Sequence, residues 1–246
     1  MTRIQLGREY LEYLQGLFRS LRHPRLRGIF LLAVLACPSL LSREAFAEPV
    51  EFTVDHGRSY IAVKTDKEGL LSAFGAGHNH GIVATKWSAN VCFDPQNVSA
   101  SRIAVAISTA SLRIDTAEAR EKAGLDPEGP NANDVQKIQE KMLASQNLSA
   151  EEYPDIEFQS TSVESTNQRS FLVRGSLTIR GKPQTVSLLV SFERLDGQIY
   201  HFSGQFPVRQ SSYGIKPESV GGVVNVKDEV TVHIGLYGSL TSKACE

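Results

Sequence analysis

Two histidines, His78 and His80, sit in the glycine-flanked stretch Gly75-Ala76-Gly77-His78-Asn79-His80-Gly81, the densest polar cluster of the chain. At a spacing of two, both side chains project to one side of an extended backbone, which suits a metal. Zinc takes three or four ligands, however, and no Cys, Asp or Glu lies close by in sequence. His56, His201 or His233 would have to be brought in by folding. The competing reading is a bend that glycine permits, with the imidazoles satisfied by hydrogen bonds. Nucleophilic catalysis fares no better. Gly-x-Ser-x-Gly does not occur, and Cys92 falls mid-strand, where a buried structural thiol is the usual case. The adjacent carboxylates Glu151–Glu152 and Asp228–Glu229 read as solvated charges. No Gly-rich phosphate loop precedes a helix, which argues against a nucleotide. The expectation is a protein without catalytic machinery, resident metal or cofactor.

The elements that would position these residues are strands. In Phe171–Arg180 the side chains of Phe171, Val173, Leu177 and Ile179 fall on one face, with Arg174, Ser176, Thr178 and Arg180 on the other. Val186, Leu188, Val190 and Phe192 share a face of Thr185–Phe192, and Val230, Val232, Ile234 and Leu236 share one of Glu229–Tyr237. Strand side chains alternate between the two faces of a sheet, so one face here is apolar and the other wet. Upstream, Val50–Asp55 and Ser59–Thr65 read as two strands joined by a hairpin-type connection at His56-Gly57-Arg58. Leu70–Gly77 continues extended, Ile82–Phe93 reads as one long strand carrying the only tryptophan, Trp87, and Arg102–Ser108 alternates cleanly. Asp94-Pro95-Gln96-Asn97 ends the long strand.

The middle changes character. Thr116–Ala123 reads as a short helix and Gly124–Asn133 as a Pro- and Gly-rich loop. Asn133 and Asp134 are placed to cap a second helix running to about Gln146, with Val135, Ile138, Met142 and Leu143 on one stripe. Strands, a helical excursion and more strands describe an all-β chain with a helical insertion. About eight antiparallel strands are enough for a barrel that holds a small ligand, although a sandwich satisfies the same pattern. Phe158, Leu177, Leu188, Val190, Phe202 and Val232 would then line either a tunnel or a packed core.

The N-terminus reads as a leader. Arg19, Arg22, Arg25 and Arg27 precede the apolar run Ile29–Leu41, and Ala45-Phe46-Ala47 offers a small-x-small cleavage pattern before Glu48. A lipid-modified Cys37 and an uncleaved anchor are the alternatives. Residues 1–47 carry seven of the 26 Lys+Arg and three of the 27 Asp+Glu, leaving 19 against 24, a balance of −5 over 48–246. That mildly acidic, mixed surface argues against nucleic acid as a partner and allows at most transient contact with a membrane. The mature length fits one domain, exported to the periplasm or secreted, as a monomer or homodimer. Outside the cytoplasm Cys92 and Cys245 can oxidise, but their distance in sequence leaves pairing open.

Five segments, in order, resemble the YceI-like family of exported lipid-binding proteins. They are Phe74-Gly75-Ala76-Gly77-His78-Asn79-His80-Gly81-Ile82, Tyr153-Pro154-Asp155-Ile156-Glu157-Phe158, Val173-Arg174-Gly175-Ser176-Leu177-Thr178-Ile179-Arg180-Gly181, Tyr213-Gly214-Ile215-Lys216-Pro217 and Val226-Lys227-Asp228-Glu229-Val230. No single piece is specific; the ordered set is. The resemblance implies a lipocalin-like antiparallel barrel around an elongated apolar tunnel for a long-chain isoprenoid or fatty lipid. It makes Phe74, Phe158, Val173, Leu177, Leu188, Val190, Phe202 and Val232 contacts of the tail, with His78 and His80 near a polar head. Each buried methylene contributes about 0.8 kcal/mol, so such a carrier needs no conspicuous motif. The other readings are an exported metal-dependent enzyme using His78 and His80, and an interaction domain whose barrel is fully packed.

Overall fold

A computed structural model describes residues 49–69, 77–195, 199–220 and 224–245; the leader and Phe74 lie outside the described residues. The chain runs β1 (Val50–Val54), β2 (Tyr60–Glu68), β3 (His80–Ala84), β4 (Trp87–Phe93), β5 (Arg102–Ser108), β6 (Leu112–Ile114), α1 (Ala117–Lys122) and α2 (Ala132–Leu143). Then follow β7 (Asp155–Asn167), β8 (Ser170–Ile179), β9 (Lys182–Arg194), β10 (Ile199–Arg209), β11 (Ser219–Val220) and β12 (Val224–Ala244).

The strand β12 is the spine. One edge pairs antiparallel with β10, from Ile199↔Ser239 to Arg209↔Glu229. The other pairs with β1 and β2 end to end, Val54 opposite Gly238 and Tyr60 opposite Gly235. The connection at residues 55–59 is therefore no hairpin, as the alternation alone implied, but an interruption within one long strand direction. Ser59 and Asp55 hold it to the spine: Tyr237 N–H donates to Ser59 Oγ at 2.8 Å, and Asp55 N–H donates to the Tyr237 carbonyl at 2.7 Å. The expected strand Ile82–Phe93 is likewise split at Thr85-Lys86, where β3 stays with β2 and β4 goes with β1.

Pairing continues β1–β4–β5–β7–β8–β9–β10–β12 and returns to β1, an antiparallel ring of eight strands, with β2, β3 and β6 extending from β12. An all-β barrel with a helical insertion is the observed architecture. Closure leaves no free edge around the ring. Beyond it, β6 has α2 as its neighbour rather than a strand. Gln139 stands in for the missing backbone, its Oε1 accepting from Ile114 N–H at 3.0 Å and its Nε2 donating to the Leu112 carbonyl at 2.9 Å. Thr116 caps α1 and Asn131 caps α2, its Oδ1 accepting from Asp134 N–H at 3.1 Å. The expected cap at Asn133 is two residues late, because Asn131 already satisfies the first free N–H groups. Val135, Ile138 and Met142 pack on the barrel core.

Candidate functional site

Alternation along each strand turns one set of side chains into the ring. In β8 these are Phe171, Val173, Leu177 and Ile179; in β10 Phe202, Phe206 and Val208; in β12 Val230, Val232, Ile234 and Leu236. They do not fill it. A cavity of about 450 Å³ remains, within the ~300–1,000 Å³ range of small-molecule pockets. The fully packed alternative does not describe this interior.

An aromatic cluster stands at one end of the cavity. Phe93, Phe171 and Phe202 line it there, with Phe52 edge-on to Phe202 and with Phe192 and Tyr200 stacked on one another behind them. The Phe93 and Phe202 centroids are 5.2 Å apart at a near-perpendicular angle, and Phe171 lies almost parallel to Phe192 at 5.1 Å. A disulfide joins Cys92 of β4 to Cys245, with Cα atoms 6.0 Å apart, and ties the C-terminus to this end. The pairing that the sequence left open is made.

The other end is polar and reaches solvent. Lys141, Asn147, Gln210 and Glu218 line the cavity there, and the Lys141 and Glu218 side chains are 65% and 40% exposed. Lys141 Nζ donates to Glu218 Oε2 at 3.3 Å, and Asn147 Nδ2 donates to Glu218 Oε1 at 3.2 Å. Tyr213, 2% exposed, contributes to the wall, and its hydroxyl is buried with no hydrogen-bond partner among the described residues. Burial pushes its pKa up to about 12. Leaving such a group unpaired costs about 1–3 kcal/mol.

The sequence-derived positions fall as follows. His80, Phe158, Val173, Leu177, Leu188, Val190, Phe202 and Val232 all lie in the cavity wall. Phe158 owes its place to Gly175: a Cβ on that glycine would come within 2.5 Å of the Phe158 ring and of the Gln159 carbonyl. The ring thus lies where β8 has no side chain. His78 is exposed and is not part of the wall.

His80 and His78 have different surroundings. His80 Nδ1 lies 2.5 Å from Asp115 Oδ2, while Asp115 also accepts from Gly81 N–H at 3.1 Å and from Arg120 Nη1 at 2.8 Å. Gly81 lets the backbone of α1 close on this strand, since a Cβ there would meet the Ala119 carbonyl oxygen at 2.5 Å. Asp115 has a left-handed φ of 50°, which an aspartate tolerates better than most side chains. Burial, the largest influence, raises its pKa; the His80 hydrogen bond and charge, Gly81 N–H and Arg120 outweigh it and hold the carboxyl below its ordinary value. Arg120 also donates to the carbonyls of Asn79, Asp126 and Glu128, so the Pro- and Gly-rich loop wraps its guanidinium. Among the described residues no group of three or more His, Cys, Asp or Glu is placed to hold a metal.

Asp115, Arg120, Lys141 and Glu218 were not singled out in the sequence, and Tyr213 was quoted only within a family segment, with no role at the site. The partners of the four charged residues lie as far as 77 residues away, as for Lys141 and Glu218, and no local pattern announces such a pair. Phe206 and Val208 were not named either, although they share the parity of Phe202 in β10, the signal that finds them.

A family model described as the YceI-like domain matches residues 52–237, most of the barrel. The chain belongs to this family. It is 27% identical over 191 residues to a UPF0312 protein of Pseudomonas savastanoi pv. phaseolicola, covering 75% of this chain and 86% of the relative. A UPF0312 protein of Pseudomonas putida is 30% identical over 166 residues, 62% of this chain and 76% of the relative. Among solved structures, BcnA of Burkholderia cenocepacia superposes with a TM-score of 0.56 at 21% identity, over 75% of this chain and 99% of BcnA. A polyisoprenoid binding domain from Saccharophagus degradans, implicated in plant cell wall breakdown, gives 0.52 at 10% identity, over 78% and 99%. These two share the YceI-like fold with the chain.

Proposed function

We propose that this YceI-like protein is an exported soluble carrier that holds a long-chain isoprenoid or similar lipid in its barrel. The observation that carries this is the cavity of about 450 Å³, walled almost wholly by aliphatic and aromatic side chains, with an aromatic cluster at one end and polar groups at the other. A long apolar chain is nearly insoluble, and burying it contributes about 0.8 kcal/mol per methylene without any strong polar contact. The named ligand of the Saccharophagus degradans domain, which shares this fold, points to the same chemistry. Export is supported by the basic, apolar and small-x-small pattern of residues 1–47 and by the Cys92–Cys245 disulfide, which persists in oxidising compartments. The protein binds rather than catalyses, and His80 is the histidine near the polar end, its ring held by Asp115. Solvent extraction of the purified mature protein followed by mass spectrometry tests the reading. A stoichiometric isoprenoid or fatty lipid is expected; no lipid, together with no uptake of a fluorescent isoprenoid analogue, overturns it.

A further inference from the structure

We infer that the carried lipid ends in an uncharged oxygen, as in an isoprenoid alcohol or a carbonyl, and not in a diphosphate or a carboxylate. The inference rests on the carrier reading and concerns the polar rim of the same cavity. Among the described residues of the wall, Lys141 and Glu218 are the charged pair; they have opposite signs and are bonded to each other at 3.3 Å. Asn147 adds a second donor to Glu218, so both carboxylate oxygens are engaged. No arginine lines the described wall, although planar guanidinium is the usual partner of phosphate and carboxylate.

The helix at this rim presents its wrong end to an anion. Lys141 and Met142 belong to the last turn of α2, and Asn147 and Leu148 follow it, so the C-terminal end of the helix meets the cavity. That end carries partial negative charge. His80 is already engaged, its Nδ1 turned onto the buried carboxylate of Asp115. A diphosphate would bring several negative charges beside Glu218 and have to take Lys141 from it. A neutral oxygen meets none of this repulsion. It also answers the hydroxyl of Tyr213, which is buried in the wall without a partner among the described residues. A phenol both donates and accepts, so an alcohol or a carbonyl satisfies it equally.

The test titrates the delipidated, purified protein with geranylgeraniol, geranylgeranyl diphosphate and a straight-chain fatty acid of equal length. The alcohol is expected to bind at least about tenfold more tightly than either anion at low salt. Glu218→Lys, a change on the exposed rim, is expected to narrow or reverse that ratio. Tyr213→Phe is expected to weaken binding of the alcohol and leave that of a hydrocarbon such as squalene unchanged. A wild-type protein that binds the diphosphate or fatty acid as tightly as the alcohol overturns the inference, as does a ratio that Glu218→Lys leaves unmoved. In either result the carrier reading stands, because a lipid is still bound. Binding of none of the three removes the carrier reading itself.

Discussion

Replacing Leu188 by Trp perturbs the cavity with little disturbance to the rest of the barrel. Leu188 is 6% exposed, lies opposite Val173 in the β8–β9 register, and forms part of the wall. Its neighbour Leu189 is 53% exposed and faces outward. An oversized side chain in a filled core costs about 1–3 kcal/mol, but the space in front of Leu188 is open, so Leu188→Trp should stay within about 1 kcal/mol of wild-type stability. The indole takes the room of about one five-carbon isoprenoid unit, and at ~0.8 kcal/mol per displaced carbon group the ligand loses about 3–4 kcal/mol. That corresponds to a Kd weaker by two to three orders of magnitude. The assay is titration of the delipidated protein with a fluorescent isoprenoid analogue, with Leu189→Trp as the outward-facing control. The control should bind like wild type. If both variants remain folded and bind the analogue alike, the ligand does not occupy the barrel, and the reasoning from cavity to function fails.

Gly175→Ala drives a methyl into the Phe158 ring and the Gln159 carbonyl, each 2.5 Å from the new Cβ; chemical denaturation should show a loss of about 1–3 kcal/mol. Removing the disulfide with Cys92→Ala and Cys245→Ala releases a constraint across 153 residues. The melting temperature should fall, with a loss of about 2–5 kcal/mol. Asp115→Asn keeps the shape and tolerates the left-handed backbone, but strips the buried Arg120 of its counter-charge; at neutral pH it should cost about 3–5 kcal/mol. The folded pKa of Asp115 is lowered, so its stabilisation is present above the unfolded pKa of about 3.9 and is lost as pH falls through the folded value. Denaturation curves of wild type and Asp115→Asn should therefore converge below about pH 4; a constant gap down to the acid limit would contradict the assignment.

The parity of several strands was legible. Phe171, Val173, Leu177 and Ile179, or Val230, Val232, Ile234 and Leu236, share a face because a strand repeats every two residues, whatever its neighbours do. Both helices were visible from composition and caps, within a few residues at their ends. The interruption at residues 55–59 was misread as a hairpin, because turn-forming residues look alike whether the chain reverses or bulges and continues. The spacing of His78 and His80 left their surroundings open for a related reason. Spacing says that two side chains can share a side, but not that one is held by an aspartate 35 residues on while the other stays in solvent.

Period-two alternation, turn residues and apolar content thus determined, from the sequence by itself, that sheets with one apolar face would form. Whether that face surrounds space or packs on itself depends on β12 returning to β1 and on the diameter of the closed ring, which no local segment encodes. The polar rim is equally a product of closure. Lys141, Asn147, Glu218 and Tyr213 come together only when the end of α2 is laid across the barrel mouth. Short-range sterics set the faces; long-range register decided what they enclose.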